Sequence, residues 1–465
     1  MNKGFDLEMY TKRHALRFLP LILPFLLLCA GCSTPADHHS SSDLDASLAS
    51  AIQGDPIITP VPIETQELTS ESTPEPTPEP TPDPELTLMA LGDNLMHMGI
   101  VGSGKQKDGT RNYDFLFEDI HDFIDLADVS VINQETIFGG NDLGFSGYPY
   151  FNSPTEVGDA IVNAGFDVVL QATNHTLDQK QEGIEHCMNY WKTHPEILMV
   201  GLHDRYEDED GNLLPAQERI PLITKNGITL AILNYTYGPN AEILPKYARG
   251  RMDVLCKWEE KNGALDFTTI NPQVLEEIAA AEEIADAVVV FPHWGAEYVT
   301  TPSKYQKTFA KQMAEAGADL IIGAHPHVTQ PVEWVTADNG NECLCYYSLG
   351  NYVSTQQDPI SMLENMAWVT FRKTNGVTYI VDEMSGSIPL VFQYYSGPLR
   401  FGGVYLLEEY TQDIANKHGI RNWGKKNLYV DDLWQWSAEI LGDSVKSAYE
   451  LTGLRAPAQS EEPAG

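Results

Sequence analysis

The stretch Ile321-Ile322-Gly323-Ala324-His325-Pro326-His327-Val328 decides how this chain is read. Two apolar residues read as the end of a buried strand, Gly323 permits a turn, and two histidines follow with one residue between them. In extended backbone, positions i and i+2 point to the same side, so His325 and His327 are expected to present both imidazoles to one point. Pro326 fixes φ between them and removes a competing backbone donor. Two ligands do not make a metal site. A surface loop with two histidines reads the same way, unless other ligands lie at other strand ends.

Outward from that stretch, strands and helices alternate from Leu86 onward. Strands are expected at 86–91, 129–132, 167–172, 198–200, 228–235, 287–291, 319–322 and 345–348. Helices are expected at 115–126, 154–164, 178–191, 272–285 and 304–316, with an irregular stretch up to about 270. Such alternation predicts α/β layers with parallel pairing. The later segments 378–381 and 390–394 read as antiparallel, hairpin-like strands.

Lys+Arg number 29 against 66 Asp+Glu, a net charge of -37 that opposes nucleic acid and anionic membrane surfaces. Six cysteines are too few for a disulfide scaffold, and Cys343 and Cys345 read as packed side chains. Residues 1–32 have the layout of a signal peptide: Lys12, Arg13 and Arg17, then a short apolar run from Phe18 to Ala30. The run ends in Leu28-Cys29-Ala30-Gly31-Cys32-Ser33, which resembles a bacterial lipobox with Cys32 as the lipidated residue. It departs from that pattern at Cys29, where Leu is usual, so cleavage by a general signal peptidase is the runner-up. Residues 33–85 repeat Thr-Pro-Glu-Pro at Thr73 and Thr77, a composition for a solvated, extended linker that holds the folded part off the membrane. The tail 456–465 is expected to be disordered.

Polar residues recur just past the expected strand ends, where open α/β sheets place ligands. They are Asp93, Glu135, Asn174 with His175, His293, and His325 with His327. Mixed O/N ligands without thiolate suit Mn, Fe or Zn, and the set is large enough for two divalent transition-metal ions. Each residue also has a bland reading. Asp93 and Asn174 suit caps or turns, Glu135 a solvated loop, and His293 a packed position beside Trp294. Five strand ends carrying such residues together are much harder to obtain by accident.

The series Leu91-Gly92-Asp93-Asn94-Leu95-Met96-His97, Asn133-Gln134-Glu135, Thr173-Asn174-His175, His293-Trp294-Gly295-Ala296-Glu297-Tyr298, Gly323-Ala324-His325-Pro326-His327 and Tyr347-Ser348-Leu349-Gly350-Asn351 resembles the CapA family. That family is associated with poly-γ-glutamate capsule synthesis and belongs to the calcineurin-like metallophosphoesterase superfamily. The resemblance runs from about Leu86 to Ser354. It implies two packed mixed sheets flanked by helices, residues 86–355 as the family domain and 356–455 as its C-terminal completion. It also implies Asp93, Glu135, Asn174, His293, His325 and His327 as metal ligands and His175 as the group assisting the leaving group. His97, Trp294, Glu297 and Asn351 are the candidate substrate contacts. The family's Asp-x-His opening is absent, the nearest histidine being His97, and Glu135 stands where Asp is familiar.

Two functions follow from the resemblance: a metal-dependent hydrolase of an envelope or capsule intermediate, or a non-catalytic, polymer-binding subunit of a capsule synthesis or export complex. Either would act outside the membrane, tethered by lipid. Replacing Cys32 with Ser is expected to abolish lipid labelling and membrane partitioning. Unchanged partitioning would refute the anchor.

Overall fold

The computed structural model describes residues 82–396 and 399–456. Cys32, most of the linker and nearly all of the tail lie outside the described residues. Seventeen strands are described. In chain order they are β1 (Glu85–Asn94), β2 (Val129–Asn133), β3 (Val168–Leu170), β4 (Leu198–Val200), β5 (Leu222–Lys225), β6 (Ile228–Thr236), β7 (Cys256–Trp258), β8 (Leu265–Ile270) and β9 (Ala287–His293). They continue with β10 (Leu320–Ile322), β11 (Val332–Thr336), β12 (Glu342–Tyr346), β13 (Asn351–Val353), β14 (Leu363–Thr374), β15 (Val377–Ile380), β16 (Gly386–Tyr395) and β17 (Arg400–Leu406).

Two mixed sheets pack face to face. The first runs β17-β16-β14-β1-β2-β3-β4, with β13 paired to β1 and β15 to β14. The second runs β11-β12-β10-β9-β6-β5. Each has a parallel centre with antiparallel flanks: β1 to β4 are mutually parallel, as are β6, β9, β10 and β12, whereas β14 and β5 pair antiparallel. Strand alternation distributes the side chains. Leu86, Leu88 and Ala90 of β1 join Val129, Val131 and Val168 in a core shared with Leu230, Ile232, Val289 and Ile322 of the second sheet. Met89 and Leu91 face the opposite way, into the helix-covered side. On the outer face of the second sheet, Val288 and Val290 pack with Val274 and Ile278 of the helix Pro272–Glu282 and with Phe309 and Met313 of the helix Lys304–Ala316. Strands buried on both faces read as unbroken apolar runs such as Val288-Val289-Val290.

Local signals set the element boundaries. Ser303 and Gln306 close a capping box at the start of the helix Lys304–Ala316, and Gly317 ends it in a left-handed conformation. Asn271 caps the helix Pro272–Glu282, with proline at its first position. The expected helix at 115–126 is instead two 3-10 turns, Asp114–Leu116 and Glu118–Ile120, followed by the α-helix His121–Leu126. The expected irregular stretch contains the hairpin β7-β8. Cys343 and Cys345 are free and buried.

The twelve-residue β14, between β1 and β16, makes the segment after 356 part of the first sheet. Strand β1 also tolerates no side chain at one point: a Cβ on Gly92 would meet the Gly350 carbonyl oxygen at 2.1 Å. That proximity lets the Asp93 N–H donate to the same oxygen at 3.0 Å. Gly92→Ala is therefore expected to lower unfolding stability by about 1–3 kcal/mol. Gly102→Ala, where a Cβ meets nothing within 4 Å, should show no such loss in the same urea titration.

Candidate metal centre

Parallel strands of both sheets deliver their C-terminal ends to one place. Asp93, fully buried near the end of β1, accepts from Asn133 Nδ2 at 2.7 Å through Oδ1. Both of its oxygens receive the His325 backbone N–H, at 3.3 and 3.2 Å, and His327 Nδ1 donates to Oδ2 at 3.0 Å. Glu135, two residues beyond β2, lies with its carboxylate 3.9 Å from His293 Nε2, 3.8 Å from His327 Nδ1 and 3.9 Å from His175 Nε2. His293 at the end of β9 reaches Asn174 Oδ1 at 3.0 Å through Nε2. The structure thus brings Asp93, Glu135, Asn174, His175, His293, His325 and His327 into one buried cluster.

The His-Pro-His loop does not achieve this in extended backbone. His325 has φ 96° and His327 φ 58°, so the expected i, i+2 geometry is corrected: the imidazoles converge through two left-handed residues. Their ring centroids are 5.9 Å apart. Such backbone costs on the order of 1–3 kcal/mol per residue and persists only where the surroundings over-determine it. Here Asp93 holds the His325 N–H, and Asn351 Nδ2 donates to the His327 carbonyl at 3.2 Å.

His175 is held differently. Its Nδ1 pairs with Asp178 Oδ2 at 2.7 Å, and its ring meets Phe151 edge-on at 4.7 Å. Asp178 Oδ2 also accepts the Phe151 backbone N–H at 2.7 Å, so one carboxylate fixes both the imidazole and the loop against it.

The four candidate substrate contacts separate. Trp294 is corrected to a core residue: it is buried, stacks on Tyr347 and donates its indole N–H to the Tyr347 carbonyl at 2.9 Å. Asn351 is buried with its Oδ1 3.1 Å from His327 Nδ1, and so supports that ring. His97 is half-buried, with Nδ1 accepting the Thr355 N–H at 3.2 Å. Glu297 is exposed beside Tyr298, which is 52% exposed, so this pair stands at the mouth. Sequence reasoning assigned no role to Asn133, although it sits two residues before Glu135. It also took Asp178 only as the start of a helix and left out Gln356, which donates to Tyr298 Oη at 3.3 Å.

Electrostatics favour a cation. Burial pushes the Glu135 carboxyl well above the usual range, with the Asp93 charge adding to it. Burial and neighbouring imidazoles hold His293 and His325 well below theirs, leaving neutral ligands. Burial would also lower His327, yet Glu135 and Asp93 raise it to about 9. Both Glu135 oxygens and His325 Nδ1 are buried with no hydrogen-bond partner. A carboxylate kept that way is costly, and one ligand atom from each of Glu135, His325 and His327 lies within 4.8 Å of the others. These residues fit a metal ion, and the O/N donor set suits Mn, Fe or Zn.

A family model described as "Bacterial capsule synthesis protein PGA_cap" matches residues 87–356, more than half of the chain. The chain belongs to this family. Its similar relatives include "PGA biosynthesis protein CapA" of Bacillus subtilis (strain 168), 31% identical over 194 residues, which are 41% of this chain and 43% of that one. "Capsule biosynthesis protein CapA" of Bacillus anthracis is 31% identical over 212 residues, 44% of each. The chain therefore spans less than half the length of these relatives. Among solved structures, the calcineurin-like phosphoesterase YfkN from Bacillus subtilis is 13% identical, with a TM-score of 0.37, over 76% of this chain and 99% of that one. A hypothetical protein from Thermus thermophilus is 13% identical, with a TM-score of 0.33, over 64% of this chain and 99% of that one. All seven clustered residues fall inside the PGA_cap segment, whereas β14 to β17 fall outside it.

Metal binding should displace a proton. His327 carries one below about pH 9 and must lose it to become a ligand. Metal affinity of chelator-treated protein is therefore expected to rise with pH up to about 9. Zn²⁺ titration at pH 7 should release protons, measurable as a calorimetric enthalpy that varies with the buffer's ionisation heat. A buffer-independent enthalpy would refute this.

Proposed function

We propose that this protein acts in capsule polymer synthesis outside the bacterial membrane, held there by lipid on Cys32, and that its centre is a two-metal hydrolase site of the phosphoesterase type. The observation that carries the reading is the Glu135 carboxylate, 1% exposed, without a hydrogen-bond partner, and surrounded by four imidazoles. Asp93, Glu135, Asn174, His293, His325 and His327 would hold the ions. When bound, divalent cations supply Lewis acidity toward a phosphoryl oxygen and an activated water.

The chain's own groups supply the rest. Burial of the cluster keeps bulk water from screening its charges. Asp178 holds His175 Nδ1, so Nε2 is the free atom, 3.9 Å from Glu135 and directed at the cluster. That atom can carry a proton to a leaving oxygen as general acid. The longer arm of Glu135, compared with aspartate, lets one carboxylate from β2 reach toward imidazoles of both sheets.

His175→Ala is expected to keep fold and metal but lose phosphoester turnover by about 10²–10⁴-fold, with a smaller loss for nitrophenyl esters, whose leaving group needs no proton. Asp178→Asn, which loosens the hold on His175 Nδ1, should lower turnover too, by a smaller factor. His325→Ala should lose metal and activity together. Wild-type protein with full metal occupancy and no hydrolysis across a broad phosphoester panel would overturn the hydrolase reading. If His325→Ala still abolished capsule output, a polymer-binding role for the centre would follow.

A further inference from the structure

The turn Tyr237-Gly238-Pro239-Asn240 follows β6 directly and is bound to three of the candidate metal ligands. The Tyr237 N–H donates to the His293 carbonyl at 2.9 Å, and the Asn240 N–H to the Asn174 carbonyl at 3.3 Å. Asn174 Nδ2 donates in return to Asn240 Oδ1 at 3.3 Å, which leaves Asn174 Oδ1 for His293 Nε2. The Tyr237 ring lies against the His325 imidazole, their centroids 4.8 Å apart.

The hairpin β7-β8 holds the turn from the other side. The Phe267 ring of β8 lies 6.0 Å from the Tyr237 ring, centroid to centroid, and a Cβ on Gly238 would lie 2.9 Å from Leu265 Cδ1. Thr236 Oγ1 accepts the Gly238 N–H at 3.3 Å and donates to the Gly238 carbonyl at 3.1 Å. Backbone and ring of Tyr237 are thus fixed between His325 and the hairpin.

Packing accounts for the ring and leaves the hydroxyl unexplained. A tyrosine O–H in a packed position ordinarily finds a partner, and the neighbouring tyrosines of the second sheet obey that rule. Tyr235 donates to Glu277 at 2.7 Å, Tyr346 to the Gly386 carbonyl at 3.0 Å and Tyr347 to Glu333 at 2.8 Å. Tyr237 is half-buried, and among the described residues its hydroxyl has no hydrogen-bond partner. The charges that act on that hydroxyl are those of Glu297 at the mouth and Glu135 in the cluster.

We propose that Tyr237 is a catalytic residue of the centre, its hydroxyl donating a hydrogen bond to a non-bridging oxygen of the tetrahedral oxyanion bound there. This rests on the reading of the centre as a phosphoesterase-type site. Phosphoryl transfer spreads negative charge over three non-bridging oxygens, and donors already aimed at them lower the barrier. None of the seven clustered residues, nor His97, Glu297 or Tyr298, is a lysine or an arginine, so the donor from the protein is an uncharged one. A phenol keeps its proton at neutral pH and supplies such a bond without adding charge beside the metal ions. No proton is transferred from Tyr237, which separates its role from that of His175. His175 approaches Glu135 from the end of β3, in the first sheet, whereas Tyr237 meets His325 from the end of β6, in the second. The turn thereby gives the bound group a donor from each sheet.

The test compares the full-length wild type with Tyr237→Phe, both loaded with Mn²⁺, and uses inorganic phosphate as the probe. The variant keeps the ring, so its metal content and urea midpoint should match the wild type. Its phosphate affinity, measured by calorimetry, should fall about tenfold or more, as for a hydrogen bond to a charged group. Its kcat should fall by about 10²–10³-fold, the range for one lost oxyanion donor. That factor should be the same for nitrophenyl and alkyl phosphoesters, in contrast to His175→Ala, because the bond is not to the leaving group. Unchanged phosphate affinity and kcat would overturn the proposal. So would a loss confined to alkyl esters, which belongs to a leaving-group acid, or a loss that follows metal content. Wild type that binds metal and phosphate but hydrolyses no ester would refute the hydrolase reading alone, and the phosphate affinity of Tyr237→Phe would still decide this one. Wild type that takes up neither metal nor phosphate would overturn both.

Discussion

Asp93 is the residue through which the two sheets meet at the centre. Its carboxylate, fully buried, accepts from Asn133 of the first sheet and from the His325 N–H and His327 imidazole that follow β10 of the second. Charge-assisted hydrogen bonds of this kind are roughly twice as strong as neutral ones, and their geometry leaves little freedom on either side. The left-handed conformations of His325 and His327 are paid for here. Without that grip the His-Pro-His loop would relax toward ordinary backbone and the imidazoles would separate. Gly92 belongs to the same arrangement, since the close approach of β1 to Gly350 sets where Asp93 can point.

A contrast between the two carboxylates of the centre follows from their partners. Asp93 is saturated with donors, whereas Glu135 has none. Asp93 is therefore fixed in place as a candidate ligand, whereas Glu135 stays unpaired at the cost of its desolvation. The same division separates the histidines. His175 is oriented by Asp178 through Nδ1, whereas His325 Nδ1 is buried with no partner. Groups whose hydrogen bonds are complete are fixed. Groups whose hydrogen bonds are missing face the place where a cation fits.

Much of this was legible in the sequence, for identifiable reasons. Parallel strands buried on both faces leave long apolar runs, and a polar residue directly after such a run marks a strand end. That is why Glu135, Asn174, His293 and the His-Pro-His stretch could be read as one edge. Contacts made at right angles to the chain leave no such mark. Nothing in Trp294-Gly295 says that the indole donates to the Tyr347 carbonyl, or in Leu349-Gly350-Asn351 that the amide contacts the His327 ring. Of the helix expected at 115–126 only the second half is α-helical, because the apolar spacing of the first half also suits successive 3-10 turns. Strand β14, buried on both faces over most of its length, has Glu364 and Asn365 near its start, one on each face, and they break the apolar run that would mark it.

The acidity of the chain bears on how such a centre is reached. A field of this sign raises the local concentration of divalent cations and lowers that of anionic substrates. Metal loading and substrate capture therefore make opposite demands on one surface. The approach to the ligands keeps Glu297 exposed at the mouth, so the side that a cation meets first carries the sign that attracts it.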